Sequence, residues 1–184
     1  MKATQYILFT SLLLLPWQTR FIFDQLQISG EPSEYGVLSL YAVEVLVVLA
    51  FALRGRPMHH AASKKIIKAL YFFLAIGFFS LTFSSFSGVG WFHLLHVLSA
   101  VMLFSLVLDE RVNVKWMIGV FAIGLIGPVL LGVYQTIQGS SGDSTLLGLA
   151  AKHVDTSGVA VVETAGGRML RAYGSFPHPN IFGG

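Results

Sequence analysis

The sequence predicts an all-α polytopic membrane protein: five transmembrane helices, the start of a sixth, and an outer segment with a short surface helix and a β-hairpin-like loop. Three observations carry that expectation. Of 184 residues, 54% are hydrophobic and 11% charged, less than half of the roughly 25% charge that a water-facing domain carries. Long apolar runs recur between short polar gaps, and about 20 such residues cross a bilayer as a helix. The 12 Lys and Arg sit mostly in those gaps, where membrane proteins place them. The same composition excludes disorder. The basic residues are not gathered on the one face that a nucleic-acid partner needs. With no cysteine, disulfides, thiolate metal sites and a cysteine nucleophile are excluded.

The first predicted span, residues 6–23, rests on the shorter run Tyr6–Trp17, which leads into Gln18, Thr19 and Arg20. No small-x-small cleavage site follows, so it reads as an uncleaved helix rather than a signal peptide. The next four, residues 36–53, 66–86, 91–108 and 116–135, are continuous apolar stretches of spanning length. Lys2, Arg54, Arg56, Lys64, Lys65, Lys68, Arg111 and Lys115 fall on one side of this arrangement, against Arg20, Lys152, Arg168 and Arg171 on the other. Positive-inside bias then puts the N-terminus in the cytoplasm and the segment 136–180 outside. Residues 181–184 read as the first turn of a sixth helix whose remainder is missing.

Within the outer segment, Gly139–Asp143 has the composition of a flexible linker. Ser144–His153 reads as a surface helix capped by Ser144, with Leu146, Leu147, Leu149 and Ala150 as its apolar stripe. A β-branched run at 159–164, a Gly-rich turn and the strand-like 168–173 give a hairpin signal. Alternation there puts Met169, Arg171 and Tyr173 on one face, and Arg168 and Leu170 on the other. Pro177 and Pro179 stiffen the lead-in, and Asn180 reads as the N-cap of the helix that follows. With Arg171 and His178 nearby, the residues alone describe an anion or headgroup site at the outer interface.

Arg171-Ala172-Tyr173-Gly174-Ser175-Phe176-Pro177-His178-Pro179-Asn180, followed by Ile181-Phe182-Gly183-Gly184, resembles the Arg-x-x-Gly-Thr/Ser-Phe-x-x-Pro-Asn-x-x-Gly stretch of the O-antigen ligase and polymerase superfamily. Trp17-Gln18-Thr19-Arg20 with Glu34-Tyr35-Gly36 and Leu38-Ser39-Leu40-Tyr41, and Val162-Glu163-Thr164 with Gly167-Arg168, are similar to pieces of bacterial members. The resemblance implies a multi-pass glycosyltransferase of the bacterial inner membrane. Such an enzyme moves an oligosaccharide from an undecaprenyl-diphosphate carrier to a glycan or lipid acceptor at the periplasmic face, with no metal or other cofactor. Arg171 matches the motif arginine and would bind diphosphate, with His178 and Asn180 completing the substrate-binding set; the catalytic residues of such enzymes lie in a later loop. On this reading the chain is the N-terminal part of the enzyme and inactive alone. The partners implied are membrane lipids, the lipid-linked glycan and its acceptor, with no nucleic acid. The alternatives are a transporter or channel subunit and an inactive truncated fragment.

Other residues invite chemistry less strongly. Glu44 falls mid-span, where an exposed charge costs about 2.5–3.5 kcal/mol; a hydrogen bond to a neighbouring helix accounts for it better than a proton relay. His93 and His96 are one turn apart without a third metal ligand and read as interfacial anchors; His59 and His60 read as a headgroup-contacting run. Arg20 is expected to meet lipid phosphate, Glu34 or Glu44. Gly124, Gly127, Pro128 and Gly132 predict a kink in the fifth span.

Overall fold

The computed structural model describes residues 2–28, 31–84, 87–109, 111–156 and 158–183. Ser85 and Phe86 of the third predicted span and Gly184 of the sixth lie outside them. The elements in chain order are α1 (Lys2–Leu14), β1 (Arg20–Ile28), β2 (Glu31–Tyr41), α2 (Ala42–Leu53), α3 (Ala61–Leu81), α4 (Ser87–Val107) and α5 (Val114–Gln138). The segment after α5 adds β3 (Ser140–Ser141), β4 (Lys152–His153), β5 (Val161–Thr164), β6 (Gly167–Leu170) and α6 (Pro179–Gly183).

This corrects the expectation of an all-α molecule with five transmembrane helices. Two helices, α4 over Gly88–Val107 and α5 over Val114–Gln138, are long and apolar enough to cross a membrane. The first predicted span is helical over 6–14 and strand over 20–23, and the second is strand over 36–41 and helical over 42–53. At about 1.5 Å per residue, the 13 residues of α1 and the 12 of α2 cover about 20 Å or less, short of the ~30 Å hydrocarbon layer. The rest of those runs pairs as an antiparallel ribbon, Arg20 opposite Tyr41, Phe21 opposite Leu40 and Ile22 opposite Ser39. Apolar runs of this length carry no periodicity that separates strand from helix. In Arg20–Ile28 the strand is set by its pairing with Glu31–Tyr41, with Phe21, Ile22 and Phe23 as residues that suit a strand. The third predicted span, 66–86, is helical over 66–81 as part of the 21-residue α3, which begins earlier and carries Lys64, Lys65 and Lys68 in its first half. Ser87–Gly90, expected as a loop, opens α4.

The helices pack side by side in the order α5, α1, α2, α4, α3. Leu8 and Leu12 of α1 meet Val43, Val47 and Ala50 of α2, Leu106 of α4 and Met117 of α5 in one buried cluster. Small residues set the spacing: Ser11 and Ala50 are fully buried, and Ser11 Oγ donates a hydrogen bond to the Ile7 carbonyl at 2.8 Å. Small residues at these positions let the backbones of neighbouring helices approach closely.

Helix α5 runs through Pro128 without a break, from an Asn113 side-chain cap to Gly139 at φ 67°. Its small residues also serve contact with α1 and the turn that follows it. A Cβ on Gly124 would stand 2.3 Å from the Leu13 carbonyl, and one on Gly127 2.1 Å from the Trp17 ring.

The segment after α5 is also ordered differently from expectation. Ser140–Ser141 pairs with Lys152–His153, so the linker-like stretch is a short strand. Ser144–His153 is not a helix. Ser144 and Leu149 exchange backbone hydrogen bonds at 3.2 and 2.7 Å, and Ser144 Oγ accepts from Leu147 N at 3.2 Å. Gly148 is incompatible with a helix here, at φ +70° and with its Cα face against Gln18, where a Cβ would lie 2.8 Å away. Val161–Thr164 and Gly167–Leu170 form a two-stranded antiparallel hairpin, where the sequence signal placed one.

Candidate functional site

The run 171–180 is held from below by one side chain. Gln135, in the last turn of α5 and 1% exposed, donates from Nε2 to the Gly174 carbonyl at 2.9 Å and to Ser141 Oγ at 3.1 Å. Its Oε1 accepts the Tyr173 and Gly174 amides at 3.2 and 2.9 Å. A primary amide suits this place because it donates and accepts at once. Gly174 turns there at φ +60°, and a Cβ would meet the Pro128 carbonyl at 2.9 Å, so glycine is required twice over. Ser175, also buried, donates to the Pro16 carbonyl beyond α1. The Tyr173 hydroxyl accepts the Ala160 amide at 2.8 Å, tying the hairpin to the same turn.

Above this clamp the three residues singled out from the sequence come together. Arg171 Nη2 donates to Asn180 Oδ1 at 3.1 Å, and the Asn180 amide donates to His178 Nδ1 at 3.2 Å. Asn180 is therefore not the N-cap. Pro179 occupies the first helical position, where its missing N–H costs nothing, and His178 caps α6. That frees the Asn180 carbonyl oxygen for the guanidinium.

His178 also lines a cavity of about 670 Å³. Its walls come from the start of β1, the 143–152 turn and the 176–181 lead-in, and they carry Arg20, Lys152 and His178 with Asp143 as the opposing carboxylate. The turn is fastened to β1 by Thr19 Oγ1 donating to the Leu146 carbonyl at 2.6 Å and Arg20 N to the Thr145 carbonyl at 3.1 Å. Arg20 reaches the Tyr41 hydroxyl at 3.5 Å, and Lys152 Nζ lies 4.7 Å over the Tyr173 ring. Arg20 does not meet Glu44; the Glu34 side chain lies outside the described residues. Two cations, an imidazole and the exposed side of Arg171 suit an anion that arrives with its own oxygens, since charge-assisted bonds to phosphate are the strong ones.

Sequence reasoning missed Gln135, Lys152 and Tyr41 here. Gln135 carried one usable signal, an amide embedded in an apolar helix, whereas the role of Lys152 depends on the β3–β4 pairing.

Glu44 is at the third position of α2 rather than mid-span, because the residues before it are strand. Its Oε2 accepts the Tyr41 amide at 3.1 Å, and its Oε1 takes His96 Nδ1 at 2.5 Å and the Ser99 hydroxyl at 3.0 Å from α4. Among the described residues, no group of three or more acidic or imidazole side chains is placed to hold a metal. Compared with protein-family models, curated proteins and solved structures, the chain matches none of them.

Proposed function

We propose that this chain works in an O-antigen ligase-like membrane glycosyltransferase, and that its outer cavity receives the diphosphate of an undecaprenyl-diphosphate-linked glycan. The transfer to a glycan or lipid acceptor takes place at the periplasmic face of a bacterial inner membrane, with the N-terminus in the cytoplasm. The observation that carries this reading is the Arg171–Asn180–His178 chain of hydrogen bonds beside a cavity bearing Arg20 and Lys152. The residues that resemble the family are distant in sequence, 17–20, 38–41 and 171–180, yet Gln18, Arg20, Tyr41 and His178 share that cavity's wall. Breaking a glycosidic bond to diphosphate builds negative charge on the leaving oxygen, and preorganised cations lower that barrier.

The test is binding of undecaprenyl diphosphate to the purified protein in nanodiscs, with inorganic pyrophosphate and undecaprenyl monophosphate as comparison ligands. A hydrogen bond to a charged group is worth about 1.5–3 kcal/mol, so Arg171→Ala should weaken diphosphate binding about 10- to 150-fold. Arg168→Ala, on the opposite hairpin face and paired with Glu163 at 3.0 Å, should leave it unchanged. Equal losses in the two variants would refute the assignment. A cysteine placed at Gly166 reports the side independently: labelling by an impermeant maleimide from outside intact cells is expected, and labelling only after lysis would overturn the topology.

A further inference from the structure

We propose that the Glu44–His96 pair forms a second binding site, one for an apolar molecule that carries a single hydroxyl group. The pair lies on the wall of a cavity of about 400 Å³ between α2 and α4, within the ~300–1,000 Å³ range of small-molecule sites. Apart from Glu44, His96 and Ser99, the wall is apolar, with Val48, Phe92 and Met102 among its members. Glu44 takes three donors, the Tyr41 amide, the Ser99 hydroxyl and His96 Nδ1. Nδ1 meets the carboxylate, so Nε2 is the ring nitrogen left to meet a ligand, and in the tautomer that carries Nδ1–H it is a lone-pair acceptor. Nε2 has no hydrogen-bond partner among the described residues.

The ring cannot swing away from this arrangement easily. Tyr41 and Phe92 meet it edge-on at 5.5 and 5.1 Å, and His93 lies at 6.1 Å. A fixed acceptor in an otherwise apolar pocket selects for one donor on an apolar body. A plain hydrocarbon leaves the acceptor unpaired, and an anion brings a second acceptor with no donor to meet it. This site shares Glu44 and Ser99 with a neighbouring cavity of about 250 Å³ that also reaches Gln18 and Tyr41. It is separate from the Arg171 cluster and does not depend on the diphosphate reading.

The experiment uses a diazirine-bearing dodecanol as photoprobe on the whole chain in nanodiscs, with labelled peptides mapped by mass spectrometry. Labelling of Val45–Phe51 or Leu95–Met102 is expected, competed by dodecanol at least 10-fold better than by dodecane or dodecanoate. His96→Phe, which keeps an aromatic ring, should cut labelling about 10-fold. Val48→Trp, which fills the cavity and leaves the pair intact, should abolish it. Dodecanol should also shift the Nε2 resonance of ¹⁵N-labelled His96 in the unmodified protein, a readout that survives if His96→Phe does not fold. Equal competition by the alkane, or an unmoved Nε2 signal at saturating dodecanol, would overturn the proposal.

Discussion

Replacing Gln135 by methionine keeps the side chain's length and removes all four of its hydrogen bonds. Two of them, from the Tyr173 and Gly174 amides at 3.2 and 2.9 Å, satisfy backbone donors that are buried with their residues. A typical intramolecular hydrogen bond contributes about 0.5–1.5 kcal/mol net, and a buried donor left unpaired costs about 1–3 kcal/mol. Taking about 1–1.5 kcal/mol for each amide, local opening of the turn becomes easier by about 2–3 kcal/mol. Hydrogen exchange reads this directly: protection of the Tyr173 and Gly174 amides should fall about 30- to 150-fold. Amides of Met117–Phe121, at the far end of α5, should exchange as before. Because Arg171 and His178 flank the loosened turn, diphosphate binding should weaken in the same variant. Unchanged protection at 173–174 would refute the clamp, since no other acceptor for those two amides is found among the described residues.

Three further outcomes follow from the packing and the charges. Gly124→Ala forces α1 and α5 apart, because its Cβ would meet the Leu13 carbonyl at 2.3 Å; overpacking of this kind costs about 1–3 kcal/mol and should lower the thermal midpoint in detergent. Gly119→Ala, with nothing within 4 Å of the new Cβ, should raise it slightly through helix propensity. At the opposite end of the helices, Arg111 donates from Nε and Nη2 to Asp109 at 2.7 and 2.5 Å. That hydrogen bonding holds the Asp109 carboxyl below its ordinary range. The folded value lies below the unfolded one of about 3.9, so the stabilisation is complete above that pH and is lost as pH falls through the folded value. Acid titration of unfolding should therefore be shallower below about pH 4 in Asp109→Asn. Finally, Lys152→Gln should reduce the salt dependence of pyrophosphate binding while Lys64→Gln, on α3 and away from the cavity, leaves it intact.

The helical character of 66–81, 91–107 and 116–135 was legible from the chain, because long apolar runs can satisfy their backbone only internally when water is absent. So was the hairpin at 161–170, whose β-branched run and Gly-Gly turn act locally. The grouping of Arg171, His178 and Asn180 was legible too, since ten residues with two prolines have few ways to spread. The ribbon of β1 and β2 was not: Arg20 and Tyr41 are 21 positions apart, and every ladder hydrogen bond of a two-stranded ribbon needs the partner strand. Nor could the chain reveal that Gly148 docks on Gln18, that His178 rather than Asn180 caps α6, or that Lys152 faces the cavity with Arg20. Composition and local periodicity set which segments avoid water and where the backbone turns. The tertiary fold alone decided which of those segments pair as strands and which polar groups meet, because those hydrogen bonds and contacts join residues that share no local signal.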